Sequence, residues 1–485
     1  MADHSKKPYR LPEPLVCDIK DVTGSDGLIS VSMEIAEKYI RKHEEYLRRY
    51  KYLDAMYKGF HDVFKAPEKP EWKPDNRLAV NFAKYVTDTF MGYGYGIPPK
   101  VICNDESAKD SVRDFLQAND FGDLFFEIGK KAAIFGHSFI FVYQDEDTHT
   151  RITDCSPEEL FVVYDDTMKK RALFMIRYGY HENGDRYGEI CTRERIEPFE
   201  KGRKLTNEAY DNPYGLLPCV EFRLNDERMG VFECETGMNE LYNRTLGEKG
   251  NDVDAFAEAY LEILGVKVDE DGVRRIRDDR VINFYGTDDA KEILVNFLQK
   301  PTADATQENL LDRLEKLTFM MSMVANISDT AFGSATSGVS LAYKLWSTSN
   351  LALTFDRKAK KSIRKCFKIW ASLSTNATNP DVWKEIDVKF TRNIPHNTAE
   401  ETQTAVTADG LVSKKTQLGL LSYVDDPDAE LEEINAEADA EIVAQKERAT
   451  SILGFEEPDL STPEKRAAMQ ELLDKYGDDL NGEGQ

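Results

Sequence analysis

The sequence has no uncharged apolar run approaching about 18 residues, so no membrane-spanning helix is expected. Its opening stretch, MADHSKKPYRLPEPLVC, lacks the apolar segment of a signal peptide. Cysteine is sparse and odd in number, with seven residues at 17, 103, 155, 191, 219, 234 and 366. None forms a C-x-x-C pair, which argues against a disulfide framework and for buried thiols in a reducing compartment. The seven histidines (4, 43, 61, 137, 149, 181 and 396) show no H-E-x-x-H or other ligand spacing. There is no G-x-x-x-x-G-K-[ST] and no G-x-S-x-G, so neither nucleotide hydrolysis nor a serine nucleophile has support, and no cofactor or metal is expected. Positive charge is in deficit: 63 Lys and Arg face 88 Asp and Glu, a net charge of −25. Tight, sequence-independent capture of nucleic acid needs the opposite balance. A protein that nucleic acid merely passes is not excluded.

What is present suits a large folded chain. Of 485 residues, 41% are apolar and 11% aromatic, enough for two to four domains with real cores. Residues 1–30 are polar and punctuated by Pro and Gly, which reads as a mobile arm. Ile35, Tyr39, Tyr46, Tyr50, Leu53 and Tyr57 recur at helical steps, predicting an amphipathic helix over 31–58. A second helix is expected to end at Gly92, with further helices at 108–118 and 120–135. Aromatic and β-branched segments at 137–145, 171–180, 185–196 and 216–224 predict a small antiparallel sheet, with Asn183-Gly184 as a hairpin turn. From Glu233 a long helical segment runs to about Leu264. A charged module with hairpin-like strands follows at 266–300, then a helix at 304–326, a small polar stretch at 327–340, a long helix from Leu341 to Ser372, and a strand at 387–395. From Asn397 the chain is helical and acidic, with 22 acidic and 7 basic residues. Strands segregated from helices indicate an α+β fold.

Tempting motifs fail on spacing. GYGYG (92–96) follows a helix rather than a strand and lacks the G-x-G-x-x-G register. DEDG (269–272) lacks the later ligands of a calcium loop and reads as a turn. Two basic clusters remain. DRKAKKSIRKCFKIW (356–370) reads first as a solvated helix face packed through Ile363, Phe367 and Trp370. RRIRDDR (274–280) reads as a solvated hairpin, with docking to an acidic partner or to DNA as the rival, since clustered Arg suits bidentate recognition of carboxylate and phosphate.

Five stretches, taken in order, resemble the portal proteins of tailed bacteriophages, the head–tail connectors, of the type found in siphophages of Gram-positive hosts. They are YKGFHDVF (57–64), NRLAVNFAKYVTDTFMGYGYGIPP (76–99), the segment 217–265 ending in NDVDAFAEAYLEILG, AFGSATSGVSLAYKL (331–345) and VKFTRNIPHNTAEETQTAVTADGLVSKKTQL (388–418). The resemblance implies a dodecameric ring around a channel for double-stranded DNA. It implies an N-terminal arm (1–30), a wing (31–232), a stem helix (233–265), a clip (266–303), a second stem helix (304–326), a channel loop (327–340), a long helix with a wing strand (341–395) and an acidic helical crown and tail (396–485). Phe332, Gly333, Ser334, Thr336, Ser337, Gly338 and Lys344 would face DNA. Arg274, Arg275, Arg277 and Arg280 of the clip would dock partners. Those partners would be the terminase large subunit and the head-completion or adaptor proteins, besides scaffolding and major capsid proteins. The protein would sit at the capsid vertex of the virion, assemble in the host cytoplasm and carry no catalytic residues. An acidic scaffold or adaptor in virion assembly, and a metal-dependent hydrolase or nuclease, are the alternatives.

Gly247 and Gly250 interrupt the expected stem helix. One bent helix is favoured, its glycines costing about 1 kcal/mol each relative to Ala and offset by packing between subunits. The alternative is a break, with Asn251 or Asp252 capping a new helix.

Overall fold

Within the described residues (11–25, 27–70, 73–257, 261–264, 294–297, 304–327, 342–394, 398–421, 423–424 and 426–453 of the computed structural model) the chain opens with strand β1, Leu15–Cys17. This corrects the reading of 1–30 as an arm throughout. Leu15 and Cys17 alternate into the core, and Tyr39 donates to the Val16 carbonyl, so side-chain burial and one long-range hydrogen bond fix a segment with no helical or turn-bounded strand pattern.

Helix α1 (Met33–Lys58) starts where the Ser32 hydroxyl accepts from the Ile35 amide, and it stops at Gly59, whose φ of 87° is left-handed. Helix α2 (Phe82–Tyr95) is capped by Asn81, which accepts from the Lys84 amide. It runs through Gly92 and Gly94 instead of ending at Gly92, because Tyr93 and Tyr95 are buried and hold the last turn in the core. Strand β2 (Lys100–Cys103), helix α3 (Lys109–Ala118) and helix α4 (Phe121–Phe135) follow.

The β region is β3 (His137–Gln144), β4 (Thr150–Cys155), β5 (Leu160–Asp165), β6 (Ala172–Tyr180), β7 (Arg186–Cys191), β8 (Arg195–Glu200), β9 (Arg203–Lys204), β10 (Tyr210–Asp211) and β11 (Cys219–Arg223). It forms two sheets, not the expected single one. Seven strands run β1-β5-β6-β7-β8-β10 with β9 beside β8, and three run β11-β3-β4. The β1–β5 pairing is parallel, so the larger sheet is mixed. The β6–β7 hairpin turns at Asn183-Gly184, where Gly184 takes φ 84°.

Alternation along β6 sorts the two faces. Phe174 meets Tyr39 edge-on at 5.8 Å and Tyr178 meets His43 at 5.7 Å, so that face packs on α1. Met175 looks the other way, into a second core with Phe139, Phe141, Val162 and Cys191 between the two sheets. Behind the three-stranded sheet, Phe222 of β11 contacts Phe125 of α4 at 5.8 Å and Phe355 of helix α7 (Trp346–Trp370) at 5.3 Å.

Helix α5 spans Thr236–Ala257 and ends earlier than expected. Leu261–Leu264 is strand β12, paired antiparallel with β13 (Leu294–Phe297). The register sets Leu261 opposite Phe297 and Ile263 opposite Val295, so a partner some 30 residues away in sequence overrides the helical appearance of AYLEIL. Helix α6 (Asp304–Ser322) returns along α5. Strand β14 (Ile386–Lys389) pairs with β2. The second unit, Pro395–Gln485, contributes α8 (Thr398–Thr407), α9 (Lys414–Leu418) and α10 (Pro427–Leu453).

Candidate channel-lining helices

One face of α5 is written in short polar side chains and glycine: Asn239, Asn243, Gly247 and Asn251 follow at four-residue steps from Glu235, just before the helix, and all five are buried. Against it lies an extended strap, residues 74–80, whose backbone has no sheet partner. The asparagines supply one. Asn243 Oδ1 accepts from the Val80 amide at 2.7 Å, Asn239 Nδ2 donates to the Val80 carbonyl at 2.8 Å, and Asn251 Oδ1 accepts from the Asn76 amide at 2.6 Å. Asn76 Nδ2 in turn donates to Asp254. Backbone groups that cannot reach water must be paired, and here helix side chains pair them.

Gly247 has its reason in the same contact. A Cβ at Gly247 would sit 2.8 Å from the Asn76 carbonyl oxygen. At Gly250 it would meet Asn76 Cβ and Leu78 Cδ1 at 3.4 Å, an ordinary contact. The helix passes through both positions without interruption. Within the chain, the strap gives Gly247 a close neighbour that a side chain would meet. This also explains why the strap, expected as the first turns of a helix from Asn76, is extended up to Asn81.

A buried ion pair anchors the start of α5. Arg49 Nε donates to Glu233 Oε1 at 2.7 Å, its Nη2 bonds the second carboxylate oxygen, and the same nitrogen donates to the carbonyls of Phe135 (3.0 Å) and Arg228 (2.8 Å). Both side chains are essentially inaccessible. The Gly230 amide donates to Glu233 Oε2 at 3.0 Å. A neighbouring network centres on Glu221, which accepts from Tyr164 (2.6 Å), Arg228 (2.6 Å) and His137 (3.1 Å). Burial opposes its charge, but the His137 hydrogen bond and the Arg228 guanidinium hold its carboxyl well below the usual range. His137 Nδ1 carries the proton it gives to Glu221, so Nε2 accepts from Tyr50 at 2.9 Å. These groups lock α5 to α1, α4, β5 and β11.

Glu235 stands apart. It is fully buried, neither carboxylate oxygen has a hydrogen-bond partner among the described residues, and burial, reinforced by Glu240, pushes its carboxyl up to about 8.

Helix α6 packs antiparallel on α5. Cys234 Sγ meets the Met321 carbonyl at one end, and Gln307 donates to Asp252 at 3.2 Å and Lys249 pairs with Glu308 at the other. Beyond α6, the Ala325 amide donates to Thr348 Oγ1 at 3.0 Å, and that hydroxyl donates to the Met323 carbonyl at 3.2 Å. Tyr85 accepts from the Ile327 amide at 3.1 Å. The two roots of the expected channel loop are thus clasped together by Thr348. Helices α5 and α6 each carry four acidic and two basic residues, a mild negative excess.

Of the expected site residues, Lys344 is half-buried beside that clasp. Phe332, Gly333, Ser334, Thr336, Ser337 and Gly338, and the four arginines 274, 275, 277 and 280, lie outside the described residues. Three of the seven cations in the basic cluster on α7 have carboxylate neighbours. Lys358 pairs with Asp226 at 2.7 Å, Lys360 and Arg364 approach Asp387, and Arg364 Nε donates to the Ile386 carbonyl. The asparagine ladder and the Arg49–Glu233 pair were missed by the sequence reading. The four-residue spacing of Asn239, Asn243, Gly247 and Asn251 was its one visible sign.

The family described as phage portal protein, SPP1 Gp6-like, matches residues 36–444. The portal protein of Bacillus phage SPP1 is 23% identical over 398 residues, covering 75% of this chain and 76% of that one. The solved "Neck of empty GTA particle computed with C6 symmetry" is similar at a TM-score of 0.42 and 13% identity, covering 70% of this chain and 88% of that one. With the family matched across most of its length, the chain belongs to the SPP1-type phage portal proteins.

Proposed function

We propose that twelve copies of this chain close into a ring at a capsid vertex and that double-stranded DNA moves through the central channel during packaging and ejection. The family match over residues 36–444 carries this reading. The geometry agrees with it. Helices α5 and α6 form an antiparallel pair, with α5 rooted in the sheet core through Arg49 and Glu233 and braced by the strap, an arrangement that suits a channel wall. Their mild negative excess suits a duplex that slides, because neutralising many phosphates would hold it in place. The segment 266–303 would dock the terminase large subunit and later the head-completion proteins, with Arg274, Arg275, Arg277 and Arg280 as its anionic-partner contacts. The segment 327–340, clasped at its roots, would touch DNA without reading bases. The acidic second unit would face the head interior. The ring conducts and performs no chemistry, and the work of translocation belongs to a separate motor. Particles assembled without this chain are expected to contain no genome, and DNA-filled particles lacking it would contradict the proposal.

A further inference from the structure

On the face away from α1, the far half of the seven-stranded sheet and strands β3 and β4 of the three-stranded sheet stand apart. They leave an open cleft of about 590 Å³. Phe141, Tyr143, Tyr210, Tyr214 and Pro213 line it, around the Arg177–Glu189 pair at 3.1 Å. Arg177 also lies over the Phe141 ring at 5.6 Å. The cleft continues past that pair to Tyr187 and Pro198. Tyr143, Tyr187 and Tyr210 remain exposed at 39%, 43% and 52%. Exposed tyrosines around an arginine make the composition of a protein-binding patch, and aromatic clefts of this kind take extended proline-containing segments. One rim is acidic, with Glu146 and Asp147 just beyond Gln144, and the other pairs Asp211 with Arg195 across the strands.

We infer that this cleft binds residues 1–10 of a neighbouring copy, the segment MADHSKKPYR. This rests on the ring proposed above. The segment carries Lys6, Lys7 and Arg10 to meet Glu146 and Asp147, and Pro8-Tyr9 to meet the aromatic floor. Its point of departure selects the neighbour. β1 lies at one edge of the sheet and β10, which lines the cleft, at the other. Five strand spacings of about 4.8 Å separate them, roughly 24 Å. Glu13 is held by Tyr46 on the α1 side, whereas the cleft opens on the opposite face. The chain's own first residues would have to round the sheet edge and then cross it, which nearly exhausts the ~33 Å reach of ten extended residues. A cyclic ring joins two different surfaces of identical subunits, and an edge-to-edge arrangement sets one copy's β1 beside the next copy's β10.

Cysteines at Pro8→Cys and Tyr210→Cys, with the exposed Cys234 replaced by Ser, test this under mild oxidation. The other six native cysteines are buried. A ladder of covalent multimers that collapses with reductant is expected, and none is expected when Met168→Cys, fully exposed on the β5–β6 turn, replaces the Tyr210 partner. The same samples are imaged for rings. Rings with no ladder, or with only an internally crosslinked monomer, overturn the inference while leaving the ring intact. Absence of rings removes the ring reading and this inference with it.

Discussion

Gly247 and Gly250 sit three residues apart on one helix, yet alanine there should act in opposite directions. In an unhindered helix interior, Gly→Ala stabilises by about 1 kcal/mol. At Gly250 the new methyl would lie 3.4 Å from Asn76 Cβ and Leu78 Cδ1, an ordinary packing distance. Gly250→Ala is therefore expected to be neutral or to stabilise by up to about 1 kcal/mol. At Gly247 the methyl would lie 2.8 Å from the Asn76 carbonyl oxygen. That oxygen belongs to backbone, and Asn76 is held by hydrogen bonds to Asn251 and Asp254. Relief requires moving the strap and loosening its asparagine bonds. Overpacking costs about 1–3 kcal/mol, and a loosened buried amide adds about 1–3 kcal/mol, so the propensity gain is outweighed. Gly247→Ala should destabilise by about 1–5 kcal/mol. Urea denaturation of both variants at one protein concentration reads the difference. Equal effects of the same sign would refute the strap as the reason for glycine here.

The remaining expectations concern the same region. Arg49→Met or Glu233→Leu alone leaves a buried charge unpaired and should cost about 3–5 kcal/mol, while the double variant should recover much of it; additive losses in a double-mutant cycle would show the pair is not coupled. Asn243→Ala strips the Val80 amide of its partner and should cost about 1–3 kcal/mol by denaturant midpoint, and a loss below a few tenths would mean water replaces it freely. Glu235 has a folded-state pKa of about 8 against an ordinary 4.5, so the folded protein holds this proton more tightly and stability falls as pH rises through that window. Glu235→Gln should remove that decline, gaining on the parent between pH 5 and pH 8.5 by a difference of about a few kcal/mol; parallel pH profiles would contradict it.

Periodic features were legible in the sequence. The α1 stripe and the Asn183-Gly184 hairpin leave local patterns, and both are where the pattern puts them. Pairings over long separation were not. β1 depends on Val163 to Asp165, far along the chain, and β12 depends on β13. The strap reads as helix by propensity, and only the asparagines of α5 make it extended. The strap's approach to Gly247 was not legible, because a glycine in sequence shows that something approaches and not what approaches. The family resemblance reached the architecture by a different route, through the order of motifs rather than their physics.

The central claim is that the isolated chain closes into a hollow ring. Negative-stain imaging with a mass measurement at high protein concentration tests it directly. Twelve copies of a 55.3 kDa chain should give annular particles of about 660 kDa with a stain-filled central hole. A strictly monomeric species, or assemblies without a pore, would contradict it.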